Sequence, residues 1–337
     1  MTRCGLQYLP IYIRMRVAVF SVRSERGVTS SIHDCQFREP SFAGNFLADF
    51  ARYQTDALSP IIPLQTEEGA FAAEVRLHTI LASQMQPKKV AAGTLSVSDV
   101  VNASSVTAET NLPHVSEDLP LEGMDAIIEL GVNFRPIFFQ FKVPEYVDGS
   151  VKSVVEYKKA LVAWPEFFRM YLRCRGFPNQ HAVLCNLQNR GYLTTYATPN
   201  FWKLSDLQRN YRDRLVARSC SYFRPMDIGQ ILDGKQHHVS YTPESSTYWR
   251  FSDPSTRDGL RGTHETLNRW MEESPSHPLS VEGIQKVVKD LALTATEEGF
   301  DVTFRDRFAS IGQAIYELAS VAMGYFNCHT VIQVIKK

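Results

Sequence analysis

An excess of charge of either sign is missing from this chain. Its 337 residues carry 36 Lys and Arg against 36 Asp and Glu, a formal net charge of zero, so overall charge gives no global pull toward nucleic acid. Long apolar runs are missing as well, and without one of about eighteen residues no membrane-spanning helix is expected. The six cysteines, at 4, 35, 174, 185, 220 and 328, form no C-x-x-C pair and no zinc-module spacing. That usage predicts a reduced, cytoplasmic protein. No Walker loop, GxGxxG, GxSxG or HExxH occurs, which removes the usual signatures of nucleotide cradles, serine hydrolases and zincins. No small-residue cleavage site follows LQYLPIYIRMRVAVFSV, and Pro10, Arg14, Arg16 and Arg23 interrupt that stretch. A strand or an extension is expected there rather than a signal peptide.

What the chain does have is apolar material, 44% of its residues, enough for a substantial core. Charge is uneven locally. Glu117, Asp118, Glu122, Asp125 and Glu129 fall in a stretch without Lys or Arg, whereas Lys203 to Arg224 holds six basic residues against two aspartates. An acidic metal pocket beside a basic rail suits a phosphate backbone; equally, KLSDLQRNYRDRLVAR is the solvated face of a helix.

Apolar spacing predicts helices in FAGNFLADFARY from Phe42 to Tyr53 and from about Thr66 to Gln84, the second with Thr66 as N-cap. Further helices are expected at Ser153–Trp164, after Asn179 up to Gly191, from His264, from Val281 and from Phe304. The last is apolar over much of its circumference, so it is either buried or a surface for homo-oligomer formation. FFRMYL and YLTTYATP are strand-like.

The most specific stretch is GMDAIIELGVNFRPIFFQFKVPEY, Gly123 to Tyr146. Two β-prone runs, 125 to 130 and 137 to 143, flank Gly131, Asn133 and Pro136, predicting a β-hairpin. Alternation puts Phe138, Gln140 and Lys142 on one strand face and Ile137, Phe139 and Phe141 on the other. Phosphodiester hydrolysis needs a hard divalent ion on oxygen ligands and a group that orients water or stabilises developing charge. Asp125 offers a carboxylate, Gln140 a carbonyl and Lys142 an ammonium.

The pattern G-x-D, strand, turn, then Q-x-K resembles the PD-(D/E)xK nuclease superfamily, in particular Mrr-like restriction endonucleases, through Gly123, Asp125, Gln140 and Lys142. The resemblance spans about 130 residues, from Glu67 to about Pro199. It implies an αβββαβ core and a Mg²⁺ or Mn²⁺ ion held by Asp125, Gln140 and a helical glutamate. Glu74 in AEVRLHTIL matches that glutamate, with Glu67 and Glu68 as rivals.

His181 is expected to cap or pack. Asp227, Asp233, His237 and His238 suggest ligands by type, but adjacent histidines on a strand point to opposite faces and cannot easily share an ion.

The expected fold is α/β, a restriction-endonuclease-like core of mixed sheet flanked by helices with a mostly helical C-terminal part. Its expected divisions are an extension over 1–41, the core over 42–245 with an insertion around 88–122, and a helical region over 246–337. The expected activity is that of a DNA endonuclease of restriction or defence type. The alternative is a catalytically inactive nuclease-like scaffold or interaction protein.

Overall fold

The computed structural model describes residues 32–53, 61–64, 132–149, 156, 164–174, 179–251 and 256–335. All belong to one compact unit, Ser31–Lys337. In chain order they begin with β1 (Ile32–His33), α1 (Glu39–Tyr53), β2 (Ile61–Leu64), β3 (Asn133–Phe141), β4 (Glu145–Val147) and β5 (Phe167–Leu172). There follow α2 (Gln180–Asn189), β6 (Leu193–Pro199), α3 (Leu204–Arg212), β7 (Cys220–Phe223), α4 (Pro225–Ile228), β8 (His237–Tyr241), β9 (Thr247–Phe251) and β10 (Thr256–Leu260). The last elements are α5 (His264–Glu273), β11 (His277–Pro278), α6 (Val281–Glu297), α7 (Ile311–Phe326) and β12 (His329–Ile335).

The strands form two sheets. One is antiparallel, in the order β1-β4-β5-β8-β9-β10; the other is mixed, in the order β2-β12-β3-β6-β7, with β11 also on β3. Within the mixed sheet β3 and β6 run parallel, which demands a crossover, and the chain between them includes α2. The fold is therefore α/β, with a mixed and an antiparallel sheet flanked by helices.

The mixed sheet is buried on both faces because β3 is apolar on both. On one side Phe42, Phe46 and Phe50 recur every fourth residue along α1 and pack on Phe139 and Phe141, with Phe46 centred 5.0 Å from Phe141. On the other, Phe134 and Phe138 meet α2, α6 and α7 and the inner face of the antiparallel sheet through Phe168, Met170, Tyr241 and Tyr248. The sheets are tied at the end of β6, where the Tyr241 hydroxyl lies 3.0 Å from Thr198 Oγ1 and donates to the Pro199 carbonyl at 2.9 Å.

Local signals fix several boundaries. Asn179 accepts from the backbone N–H of His181 and Ala182 and starts α2. Gly191, at φ 92°, ends the following turn in a conformation that favours glycine. Ser310 caps α7, so that helix begins seven residues later than the pattern from Phe304 suggests. Its apolar face, Ile315, Leu318 and Ala322 among others, is buried in the core.

The expected hairpin requires correction. Asn133 and Pro136 are not turn residues but lie within β3, with Pro136 opposite Ile332 of β12. Over Ile137–Phe139 the two edges of β3 are taken by β12 and β6; the other run of the expected hairpin, 125–130, lies outside the described residues. The physical reason is that a run apolar on both faces belongs at a sheet's centre. Pro136 is tolerated because the β11 and β6 pairings leave Arg135 and Pro136 unladdered on one edge. The expected helical C-terminal region supplies α5, α6 and α7, yet its HTVIQVI run becomes β12, between β2 and β3. Likewise β1 and the first turn of α1 fall inside the stretch expected as an extension. Among the described residues no helix is long and apolar enough to cross a membrane.

Candidate active site

Strand alternation places Gln140 and Lys142 on the same face as Phe138, toward α2, α6 and α7, while Ile137, Phe139 and Phe141 face α1. The Lys142 N–H donates to the Ala197 carbonyl at 3.1 Å, carrying the β3–β6 ladder one residue past the strand. Both polar side chains are therefore held by a central strand.

Neither is at ease there. Gln140 is 1% exposed, and among the described residues neither Oε1 nor Nε2 has a hydrogen-bond partner; each buried orphan of this kind costs about 1–3 kcal/mol. Lys142 is 7% exposed. Burial lowers its pKa, the Arg173 charge adds to that, and Glu39 opposes it. No ion pair holds Lys142 among the described residues. Thr330, opposite Phe138 on the same face, adds a third buried group whose hydroxyl has no partner.

The surroundings are polar but mostly satisfied. Tyr196, the register partner of Gln140 on β6, lies with its hydroxyl 2.8 Å from His181 Nδ1, and His181 Nε2 lies 2.9 Å from the Gly229 carbonyl. A carbonyl only accepts, so Nε2 carries the proton and Nδ1 accepts from the tyrosine. Burial pushes the His181 pKa down to about 4, so it is a neutral packing histidine, as its position on α2 suggests. Gln180 donates to the Phe326 carbonyl at 3.0 Å, leaving its Oε1 unpartnered. Burial pushes the Cys174 and Cys185 thiols up to about 12 and raises Cys328 further. None is a thiolate at neutral pH.

Of the four expected site residues the structure brings together Gln140 and Lys142. Asp125 and Glu74, like Glu67 and Glu68, lie outside the described residues. Among the described residues no group of three or more His, Cys, Asp or Glu is placed to hold a metal ion. The histidine pair behaves as alternation requires: His237 Nε2 lies 2.7 Å from Asp233, His238 Nε2 lies 2.9 Å from Glu156, and Asp227 pairs with Arg224 instead. In the basic stretch Arg209 pairs with Asp206 and Arg212 with Asp213, as on the solvated face of a helix.

A second polar constellation escaped the sequence reading. Glu156 is fully buried and accepts from Arg169 Nε and NH2, each at 3.0 Å, from Ser240 Oγ at 2.8 Å and from His238 Nε2. Arg169 also reaches Glu145, which accepts from the Tyr171 hydroxyl at 3.1 Å. The donors hold the Glu156 pKa down at about 2 despite burial. Alternation in FFRMYL and HHVSY marks Arg169, Tyr171, His238 and Ser240 as one polar sheet face, but nothing local names Glu156 as their acceptor. Every Glu156 oxygen is engaged, so this is a structural anchor rather than a reacting centre.

No protein-family model, no curated protein and no solved structure matches the chain.

Proposed function

We propose that this chain is a metal-dependent phosphodiester hydrolase, a DNA endonuclease of restriction or defence type, working from the Gln140–Lys142 end of β3 with Asp125 and Glu74. The observation that carries the reading is the buried Gln140 amide, both polar atoms unpartnered, two residues from a buried Lys142. A core that only needed filling would favour an apolar side chain at 140. The parallel pairing of β3 with β6, reached through a crossover that holds β4 and β5 of the other sheet as well as α2, supports a restriction-endonuclease-like core in which two parallel strands and the helix between them belong to the αβββαβ order.

The donor set suits a hard cation. Gln140 Oε1 is a neutral oxygen without a hydrogen-bond partner, and with the carboxylates of Asp125 and Glu74 it would hold Mg²⁺ or Mn²⁺. The bound ion's contribution is positive charge against the phosphate and a lowered pKa for water. Lys142 supplies an ammonium held in a low-dielectric site, where it stabilises negative charge on the transferring phosphoryl group. The buried apolar wall around Phe138 excludes bulk water from that side.

Plasmid cleavage in the presence of Mg²⁺ tests the reading. Asp125→Ala and Lys142→Ala each abolish cleavage in a folded protein; cleavage that survives both rules the site out. The competing reading, a catalytically inactive scaffold, requires no Mg²⁺ heat above background by calorimetry.

A further inference from the structure

We propose that Trp202, backed by His33 and Tyr146 and flanked by Lys203, is a stacking platform for an unpaired nucleobase, so that the chain takes single-stranded or locally unpaired nucleic acid. The proposal deepens the phosphodiesterase reading and rests on it for its link to Gln140 and Lys142.

The platform is built from two separate parts of the chain. Antiparallel pairing of β1 with β4 sets His33 opposite Tyr146, so the two rings share a face. The Trp202 indole, from the segment after β6, lies flat over both, its centroid 4.8 Å from His33 at 17° and 5.4 Å from Tyr146 at 12°. Gln36 fixes that segment twice: its N–H donates to the Trp202 carbonyl at 2.8 Å, and its Oε1 accepts from the Leu204 N–H at 3.2 Å. The lower rings are anchored in turn. His33 Nε2 lies 3.5 Å from Asp148, and the Tyr146 hydroxyl donates to Glu166.

Trp202 is thus half-buried and held flat, and a π-face of this kind stacks any base. Lys203 Nζ sits over the Trp202 ring, 5.3 Å from its centre, on an exposed side chain that an incoming base would turn aside. Beside a stacked base that ammonium is placed for one phosphate, since the arginines of α3 are engaged by Asp206 and Asp213. Tyr146 follows Lys142 by four residues, so the chain separates the platform from the candidate site by no more than about 14 Å.

The test is binding of the full chain to a fluorescent oligothymidylate of about 12 nucleotides and to a duplex of that length, across a salt series. The wild type binds the single strand more tightly than the duplex. Trp202→Ala weakens single-strand binding about tenfold, and Trp202→Phe keeps most of it. Lys203→Ala, an exposed change that leaves folding intact, lowers the slope of log K against log salt by about 0.7, the signature of one lost phosphate contact. Equal affinity of wild type and Trp202→Ala, an unchanged slope in Lys203→Ala, or duplex binding as tight as single-strand binding would each overturn the platform. Lys142-dependent plasmid cleavage, measured in parallel, separates the two claims: cleavage without Trp202-dependent binding removes the platform alone, and binding without cleavage removes the hydrolase alone.

Discussion

Arg169 grips Glu156 with two parallel bonds, Nε to Oε1 and NH2 to Oε2, each at 3.0 Å. The pair joins β5 to a carboxylate with no exposed surface. Removing one partner leaves the other charge buried and unpaired, so Glu156→Ala and Arg169→Ala are each expected to cost about 3–5 kcal/mol in urea unfolding. In a double-mutant cycle the two losses fall well short of additive.

The same pair sets an acid limit. The Glu156 pKa is depressed from 4.5 to about 2, so the unfolded chain binds the proton first as pH falls. Its stabilisation is complete above pH 4.5 and is lost progressively from there toward 2. Unfolding midpoints measured across that window should fall more steeply in the wild type than in Glu156→Gln.

A second acid window lies higher. Burial lowers the pKa values of His181 and His329 to about 4, while an unfolded histidine titrates near 6.5. Between those values the unfolded chain takes up protons that the folded one refuses, so stability drops as pH falls from about 6.5 to 4. Replacing His329 by Phe should flatten that slope, read from thermal midpoints at pH 7, 6 and 5.

Phe46 touches Phe139, Phe141 and Tyr222 with ring centres 5.0 to 6.3 Å away and is fully buried. Phe46→Ala is expected to destabilise by about 3–5 kcal/mol, and Phe46→Leu by clearly less. Equal losses would mean that α1 is not seated on the sheet as described.

Much of the secondary structure was legible because its signals are local. The four-residue spacing of Phe42, Phe46 and Phe50 gives α1, Asn179 and Gly191 bracket α2 and its closing turn, and alternation assigns the two faces of β3. What was not legible is pairing over long separations. Nothing near Pro136 reveals that its partner is Ile332, so Asn133 and Pro136 suggested a turn where a central strand passes. Ser310 as a cap competes with an apolar pattern that starts at Phe304, and the cap wins because the N-terminal N–H groups of α7 need an acceptor. At the site, Gln140 and Lys142 are legible as a same-face pair on one strand. Their burial, and the absence of partners for the Gln140 amide among the described residues, follow from α2, α6 and α7 packing over that face, which no short pattern encodes.

Position 140 tests the account most directly, because stability and activity are expected to move in opposite directions there. Gln140→Met removes two orphaned polar atoms from the core and should raise stability by about 1–3 kcal/mol, a gain of the kind expected where function holds a polar group against folding. The decisive measurement is Mg²⁺-dependent plasmid cleavage by Gln140→Met beside the wild type at equal protein concentration. The account predicts a folded variant at least as stable as the wild type and slower in cleavage by about a hundredfold or more; a folded Gln140→Met that cleaves at the wild-type rate would contradict it.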